Sequence, residues 1–248
     1  MYNASWIIWS LLTTVKSLHE RGIAHCDIKP ENVVIVEEEE EEKEEEEGEE
    51  TDSGNSDDSA KNRKYFAVKL IDFGNAVYVD QNYEENEEED EIYEDFIGTP
   101  NYMSPERYAP RYPWHAWSGD VWSVGVVTYE LLFQRPLFDD HKDIEALKKQ
   151  IIQGEWCFPT TSTAARQPDV SPRPDHAQDD CFFIAAKHFI RHLLVLDPSQ
   201  RASAAHALKH PWLSCCTRII DDTAELFHSI HCWKKDLTTY APLTKGNR

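Results

Sequence analysis

Three side chains suited to phosphate chemistry lie within the eight residues "HCDIKPEN" at positions 25–32. The carboxylate of Asp27 could orient a hydroxyl group and accept its proton. The ammonium of Lys29 could neutralise phosphate oxygens, and the amide oxygen of Asn32 could bind a divalent cation. Because Pro30 opposes a regular helix, the segment is predicted to be a short, rigid loop that could position a phosphoryl transfer.

Each of these residues also has an ordinary structural interpretation. Asp27 could cap a turn, Asn32 could be a common loop residue, and Asp72 in a later motif could simply form a turn. The chemical interpretation gains support because four further motifs follow in order. They are "DFG" (72–74), "GTPNYMSPE" (98–106), "DVWSVGV" (120–126) and "DPSQRASAAHALKHPWL" (197–213).

Taken in this order, the motifs resemble the C-terminal lobe of eukaryotic protein kinases of the serine/threonine type. The resemblance covers most of residues 2–213, and the last motif is most similar to the calmodulin-dependent-kinase-like groups. It implies a mainly α-helical fold in which a short β-hairpin carries the catalytic loop and the DFG sequence. It also implies that ATP and Mg²⁺ are the cofactors and that the substrate is a protein.

The resemblance assigns catalytic and binding roles to individual residues. Asp27 would be the catalytic base, and Lys29 would contact the transferring phosphate, a lysine here being the serine/threonine-specific pattern. Asn32 and Asp72 would hold the magnesium ion and with it the nucleotide. Thr99, in the substrate-docking loop, would bond to both Asp27 and Lys29.

The same resemblance implies structural roles for a second set of residues. Glu106 would pair with Arg201 in a buried ion pair, and Asp120 would accept hydrogen bonds from the backbone of the loop. Three more residues would support the site: His25, Phe73 and Gly74.

Cys26 stands where many similar kinases have an arginine that captures a phosphorylated activation loop, so the chain resembles a non-RD kinase. Residues 72–98 contain no serine or threonine, which argues against activation by a loop phosphothreonine. Tyr78, Tyr83 and Tyr93 remain candidate phosphorylation sites. We expect the thiol of Cys26 to be packed and inert rather than reactive, and the acidic loop to favour basic substrates.

The 248 residues contain no Gly-x-Gly-x-x-Gly sequence. The "FAVK" sequence (66–69) resembles a nucleotide-binding lysine motif, but Lys69 lies on the strand before DFG, so we reject it for that role. We therefore expect a partial kinase domain that lacks the N-terminal lobe. The alternative is a catalytically inactive, kinase-like scaffold whose acidic segments bind basic proteins.

The acidity of the chain is concentrated in two segments. The net charge is −21, with fifteen acidic residues and one lysine in 37–58 and ten acidic residues and no basic one in 80–95. This pattern predicts acidic, disordered inserts at 37–64 and 80–95 and excludes nucleic acid as a partner. Six cysteines without a C-x-x-C pair, and an apolar start half as long as the roughly 20 residues of a membrane helix, favour an intracellular, cytoplasmic or nuclear location.

Hydrophobic periodicity predicts the supporting elements. We expect helices over 3–21, from 120 to 133, over 182–196 and over 203–213, and strands over 33–36 and 66–71. A proline-rich loop is expected over 159–179. The tail 214–248 is predicted to dock a helix on the main body, with a regulatory partner helix as the alternative.

Overall fold

The structure, a computed structural model, describes residues 2–39, 64–79, 98–108, 116–138, 143–159 and 176–213. Helices dominate these ranges, as predicted. The α-helices are α1 (Tyr2–His19), α2 (Ala116–Phe133), α3 (Ile144–Gln153), α4 (His176–Leu193) and α5 (Ala204–Ala207). The strands are β1 (Ile23–Ala24), β2 (Val33–Glu39), β3 (Lys64–Leu70) and β4 (Val77–Tyr78). The tail helix, the 80–95 insert and most of the 37–64 insert lie outside the described residues.

The four strands form two small antiparallel sheets. β2 pairs with β3 from Val33 opposite Leu70 to Glu39 opposite Lys64, and β1 pairs with β4. Strand pairing therefore continues through 37–39, which the sequence analysis placed in a disordered insert, so that boundary was wrong. Pairing with β3 gives the backbone amides of this acidic stretch hydrogen-bond partners, which charge alone did not reveal.

The helix boundaries that differ most from the sequence prediction are the start of α4 and the end of α5. α4 begins at His176, inside the predicted loop 159–179. The sequence prediction missed this start because the polar first turn of the helix lacks the apolar periodicity that marks the rest. α5 ends at Ala207, and the chain continues in tighter turns in which Lys209 and His210 donate to carbonyls three residues back. Pro211 explains this early end, since it disfavours helical geometry at the residue before it.

The central helix α2 separates two hydrophobic clusters. Its Val124 and Val127 pack with Leu11 of α1, while Trp122 and Val126 belong to the second cluster. α2 is buried on nearly every face, as its uniformly apolar sequence predicts. The first cluster binds α1, α4 and α5 to the β2–β3 hairpin, so the loop between α1 and β2 lies directly on a packed core.

Close packing of α2 on α4 depends on a glycine. A Cβ atom added at Gly125 would lie 2.8 Å from Leu194 Cδ2 and 3.0 Å from Leu193 Cβ. Any larger residue would therefore push the two helices apart. Among the described residues, no helix has both the length and the apolar character needed to cross a membrane.

Candidate active site

Asp120, near the start of α2, anchors the loop 25–32 through hydrogen bonds to its backbone. Its side chain is only 1% exposed, and its two carboxylate oxygens accept hydrogen bonds from the backbone N–H groups of His25 (2.9 Å) and Cys26 (2.8 Å). His19 Nε2 lies 2.9 Å from the same carboxylate. These bonds hold Cys26 at φ 62°, a left-handed conformation that is uncommon for residues other than glycine.

His25 joins the loop to the strand end that carries "DFG". The backbone N–H of Asp27 donates to His25 Nδ1 (3.3 Å), so the ring proton resides on Nε2, which lies 3.1 Å from the carbonyl oxygen of Ile71. The ring also meets Phe73 edge-on, with centroids 4.9 Å apart. The buried His25 side chain therefore fixes the relative positions of Asp27 and Phe73.

Asp27, Lys29 and Thr99 form a closed triangle of hydrogen bonds. Thr99 Oγ1 donates to Asp27 Oδ1 (2.7 Å), while Lys29 Nζ donates to Asp27 Oδ2 (3.0 Å) and to Thr99 Oγ1 (2.8 Å). The contacts implied by the resemblance are present. The approach of the 98–102 segment requires Gly98, because at φ 111° an added Cβ would lie 2.7 Å from the carbonyl oxygen of Cys26.

Asn32 and Asp72 lie at the same end of the β2–β3 hairpin. Asn32 Nδ2 donates to the carbonyl oxygen of Asp27 (2.9 Å), and the Asn32 carbonyl accepts from the N–H of Ile71 (2.9 Å). The side chain of Asp72 is exposed, and its Oδ1 accepts from the N–H of Gly74 (3.3 Å). Asp72 has φ 64°, which aspartate tolerates better than most residues.

The oxygen atoms at this hairpin end suit a hard cation. Asn32 uses its amide nitrogen toward Asp27, which leaves its amide oxygen available to coordinate a cation, and the exposed carboxylate of Asp72 follows the strand that pairs with β2. Mg²⁺ is commonly held by one or two such protein oxygens together with substrate phosphates. The donor set therefore fits a magnesium–nucleotide complex, although two side chains alone would hold the metal weakly.

Glu106, in the segment that follows Thr99, and Arg201 form a bidentate ion pair. Arg201 Nη1 and Nη2 donate to the two carboxylate oxygens of Glu106 at 2.7 and 2.9 Å, and neither side chain is accessible to solvent. Arg201 also donates to the carbonyl oxygens of Val195 (2.9 Å) and Ser118 (2.8 Å). The pair thus ties the segment after Thr99 to α2 and to the chain before α5.

The sequence analysis missed Glu130, a buried carboxyl group on α2. Tyr102 donates its hydroxyl to Glu130 Oε2 (2.8 Å), and the N–H of Leu137 lies 3.4 Å from Oε1. Burial raises the pKa of Glu130 to about 8, although both hydrogen bonds oppose the rise. The available signal was a single carboxyl in the apolar run "VGVVTYELLF".

The surroundings of Cys26 and Lys69 agree with the sequence analysis, which expected an inert thiol at Cys26 and rejected Lys69 as the nucleotide-binding lysine. Burial, followed by the nearby Asp120 carboxylate, raises the pKa of the Cys26 thiol to about 12, which makes it a poor nucleophile. Lys69 is exposed on β3, opposite Val34. Of the three tyrosines named as phosphorylation candidates, Tyr78 is exposed on β4 and the other two lie outside the described residues.

Comparison with known proteins identifies the family. Residues 2–213 match the protein kinase domain. The chain is 30% identical over 233 residues to the calcium/calmodulin-dependent protein kinase type II alpha chain of Drosophila melanogaster, a match that covers 94% of this chain. It spans 34% of that relative's length, or about a third. Because the family model matches residues 2–213, well over half of the 248 residues, the chain belongs to the protein kinase family.

Proposed function

We propose that this chain carries the catalytic-loop and substrate-binding part of a serine/threonine protein kinase, which transfers the γ-phosphate of ATP to protein hydroxyl groups. The observation that supports this most directly is the triangle of Asp27, Lys29 and Thr99. In it the hydroxyl of Thr99 lies within 3.0 Å of a carboxylate and an ammonium on the loop that Asp120 anchors.

In this proposal Asp27 orients the hydroxyl of the substrate and accepts its proton. The hydroxyl of Thr99 already lies 2.7 Å from Asp27 Oδ1, so this carboxylate can bind a hydroxyl group at hydrogen-bond distance. Lys29, 3.0 Å from the other carboxylate oxygen, places a positive charge where phosphate oxygens would gather. A lysine at this position is the pattern of the serine/threonine-specific members of the family.

Asn32 and Asp72 would hold Mg²⁺ with the phosphates of ATP. The ion, when bound, neutralises the charge of the phosphate oxygens. The chain's own contribution is to keep the Asn32 amide fixed through Asp27 and to present the Asp72 carboxylate on the adjacent strand end. The glycine-rich loop and lysine that clamp the nucleotide in similar kinases are not found in these 248 residues, so we include in the proposal that the chain works as part of a larger kinase domain.

Phosphate transfer by the full natural chain tests the proposal. With labelled ATP, Mg²⁺ and a basic serine/threonine peptide, we expect label on serine or threonine, and Asp27→Asn should lower the rate at least about a hundredfold. Glu145→Gln, a change at an exposed carboxylate on α3, is the matched control and should leave the rate unchanged. Label on tyrosine alone, or transfer equal in the Asp27 variant, would contradict the proposal.

The second candidate function is an inactive scaffold that binds basic proteins through the acidic segments. The absence of a Gly-x-Gly-x-x-Gly sequence and the charge of −21 favour it. This function predicts salt-sensitive binding of basic peptides without phosphate transfer. Binding that persists in Asp27→Asn while the full natural chain shows no transfer would establish the scaffold instead of the enzyme.

A further inference from the structure

Four histidines gather on the surface where α4 meets α5. α4 contributes His188 and His192, one turn apart. Residues 204–213, which comprise α5 and the turns after it and are called the α5 segment, contribute His206 and His210, also four positions apart. The ring centres of His188 and His210 are 5.1 Å apart, and those of His192 and His206 are 5.6 Å apart. His192 also lies 6.0 Å from His188 and 6.1 Å from His210. We call these four residues the histidine cluster.

Hydrogen bonding fixes two of these rings in one neutral form. The backbone N–H of Trp212 donates to His210 Nδ1 (3.1 Å), so the ring proton of His210 must reside on Nε2. That Nε2 lies 2.8 Å from His188 Nδ1 and donates to it. A proton added to Nδ1 of His188 would place two N–H groups against each other and break the bond between the two elements. A proton added to Nδ1 of His210 would break the bond from Trp212 that holds this ring in place.

Most of the described charged side chains on the surrounding elements are engaged away from the histidine cluster. On α4, the cations of Lys187 and Arg191 lie over the ring of Phe158, 5.6 and 4.8 Å from its centre. Lys209, next to His210 in the turn, would only add positive charge. Among the described side chains of the neighbouring elements, Lys16 is paired with Glu20, His19 with Asp120 and Arg201 with Glu106, and Asp197 accepts hydrogen bonds from Ser199.

Burial and mutual repulsion act in the same direction on the histidine cluster. Burial, then the neighbouring His206 and His188, lowers the pKa of His192 below its ordinary value. Burial, then His188 and His192, lowers the pKa of His210 to about 4. Free imidazoles have a pKa of about 6.5. In mildly acidic solution, His192 and His210 therefore bind protons more readily in the unfolded chain than in the folded one.

A transition-metal ion is the other common partner of clustered histidines. Within the described ranges, no three or more His, Cys, Asp or Glu side chains are arranged to hold one. His210 supplies a chemical reason, because a ring whose Nδ1 accepts a hydrogen bond can coordinate through Nε2 only by losing its last ring proton. The geometry therefore favours a proton over a metal as the ligand of this cluster.

We propose that the histidine cluster is an acid-sensitive joint, which holds the α5 segment against α4 while its imidazoles are neutral and releases it as the pH falls. The consequence reaches the candidate active site through the chain. Arg201 lies two residues before Ser203, whose side chain caps α5, and Arg201 holds Glu106 in the segment that follows Thr99. Loosening of α5 would therefore weaken the support of that segment.

The direction of the pH dependence follows from proton uptake. Because the folded-state pKa of His210 lies below 6.5, the cluster contributes stability that is complete above pH 6.5 and is lost as the pH falls toward 4. Lowering the pH from 7.5 to 5 should raise the unfolding equilibrium constant of the full chain about thirtyfold through His210 alone.

Urea unfolding of the 248-residue chain at pH 7.5 and pH 5 tests the joint. The quantity to compare is the ratio of the unfolding constants at the two pH values, because other titrating groups contribute equally to every variant. His192→Gln removes one repelling charge and should reduce this ratio severalfold. Lys187→Gln, one turn and one residue earlier on the same helix with its cation over Phe158, is the control and should leave the ratio within twofold of wild type.

Histidine NMR of the unmodified chain gives a reading that does not depend on any variant folding. We expect one ring, that of His210, to titrate near pH 4. Four cluster rings that titrate near pH 6.5, or equal ratios in wild type and His192→Gln, would overturn the proposal. One equivalent of Zn²⁺ that stabilises wild type but not His192→Gln would also overturn it, in favour of a metal site.

Discussion

The two sides of the candidate active site are held in opposite ways. On the loop side, the charged groups of Asp120, Asp27 and Arg201 are buried and each makes several hydrogen bonds. On the strand side, Asp72 is exposed and lies between two exposed apolar residues, Ile71 (44%) and Phe73 (46%). One side of the site is therefore rigidly built, while the other is open to solvent.

The cost of burying charge explains this difference. An ionised group leaves water only if protein donors and acceptors replace its hydration, so a buried carboxylate such as Asp120 fixes every group that bonds to it. Asp72 keeps its hydration and needs few partners. The comparison shows that the groups that would orient a substrate hydroxyl are pre-organised, whereas the Asp72 end, which the proposal assigns to the metal, is held by few protein contacts.

The largest expected effect is on the ion pair beneath the Thr99 segment. Arg201→Ala leaves the carboxylate of Glu106 buried without its cation, and should lower the free energy of unfolding by about 3–5 kcal/mol. Urea denaturation at pH 7 measures this loss. Lys16→Ala, which breaks the solvent-exposed pair with Glu20, is the control and should cost less than about 1 kcal/mol. Similar losses in both variants would show that burial does not distinguish the two pairs.

Substitution of the two candidate aspartates tests the comparison directly. Asp27→Ala removes the acceptor of hydrogen bonds from Thr99 and Lys29, and should cost about 1.5–3 kcal/mol of unfolding free energy. Asp72→Ala removes an exposed side chain, and the loss of its side-chain contacts should change the free energy of unfolding by less than about 0.5 kcal/mol. The backbone strain that alanine meets at φ 64° is a separate contribution. Equal costs in urea denaturation would contradict the division into a rigid side and an open side.

The sequence was informative where a motif carries its own geometry. The contacts of Asp120 with the loop, and of Glu106 with Arg201, were implied by residues up to about a hundred positions apart because the family resemblance supplied their pairing. The burial of α2 followed from its apolar composition alone. These predictions did not require the angles and rotations at which the helices and strands pack against one another.

Features that depend on tertiary packing could not be read from the sequence. Nothing in the pattern shows that the hydroxyl of Tyr102 would meet Glu130, or that His192 on α4 would face His206 on α5. Such pairs arise only when helices pack at a particular angle and rotation. The early end of α5 was missed for a related reason, since its apolar spacing continues into turns that Pro211 enforces.

Glu130 tests whether a buried acid can be accommodated without a cation. Its folded-state pKa of about 8 lies above the ordinary value of 4.5, so the folded chain keeps a proton that the unfolded chain loses. This group's contribution to stability should therefore fall as the pH rises from 4.5 to 8, at up to about 1.4 kcal/mol per pH unit. Glu130→Gln should abolish that slope in urea unfolding from pH 5 to pH 7.5, and the exposed Glu145→Gln should keep it. An unchanged slope in Glu130→Gln would show that this carboxyl is ionised in the folded state.

The smallest expected effect is chemical reactivity at Cys26, on the rigid loop side held by Asp120. A thiol pKa raised from 9.0 to about 12 lowers the thiolate fraction at pH 8 about a thousandfold. Iodoacetamide treatment of the folded chain, followed by peptide mass spectrometry, should therefore label the exposed Cys157 and leave Cys26 unmodified. Both residues should react once urea unfolds the chain, which controls for intrinsic reactivity. Rapid labelling of Cys26 in the folded chain would mean that the loop opens around it, and the Asp120 anchor would then be weaker than its hydrogen bonds indicate.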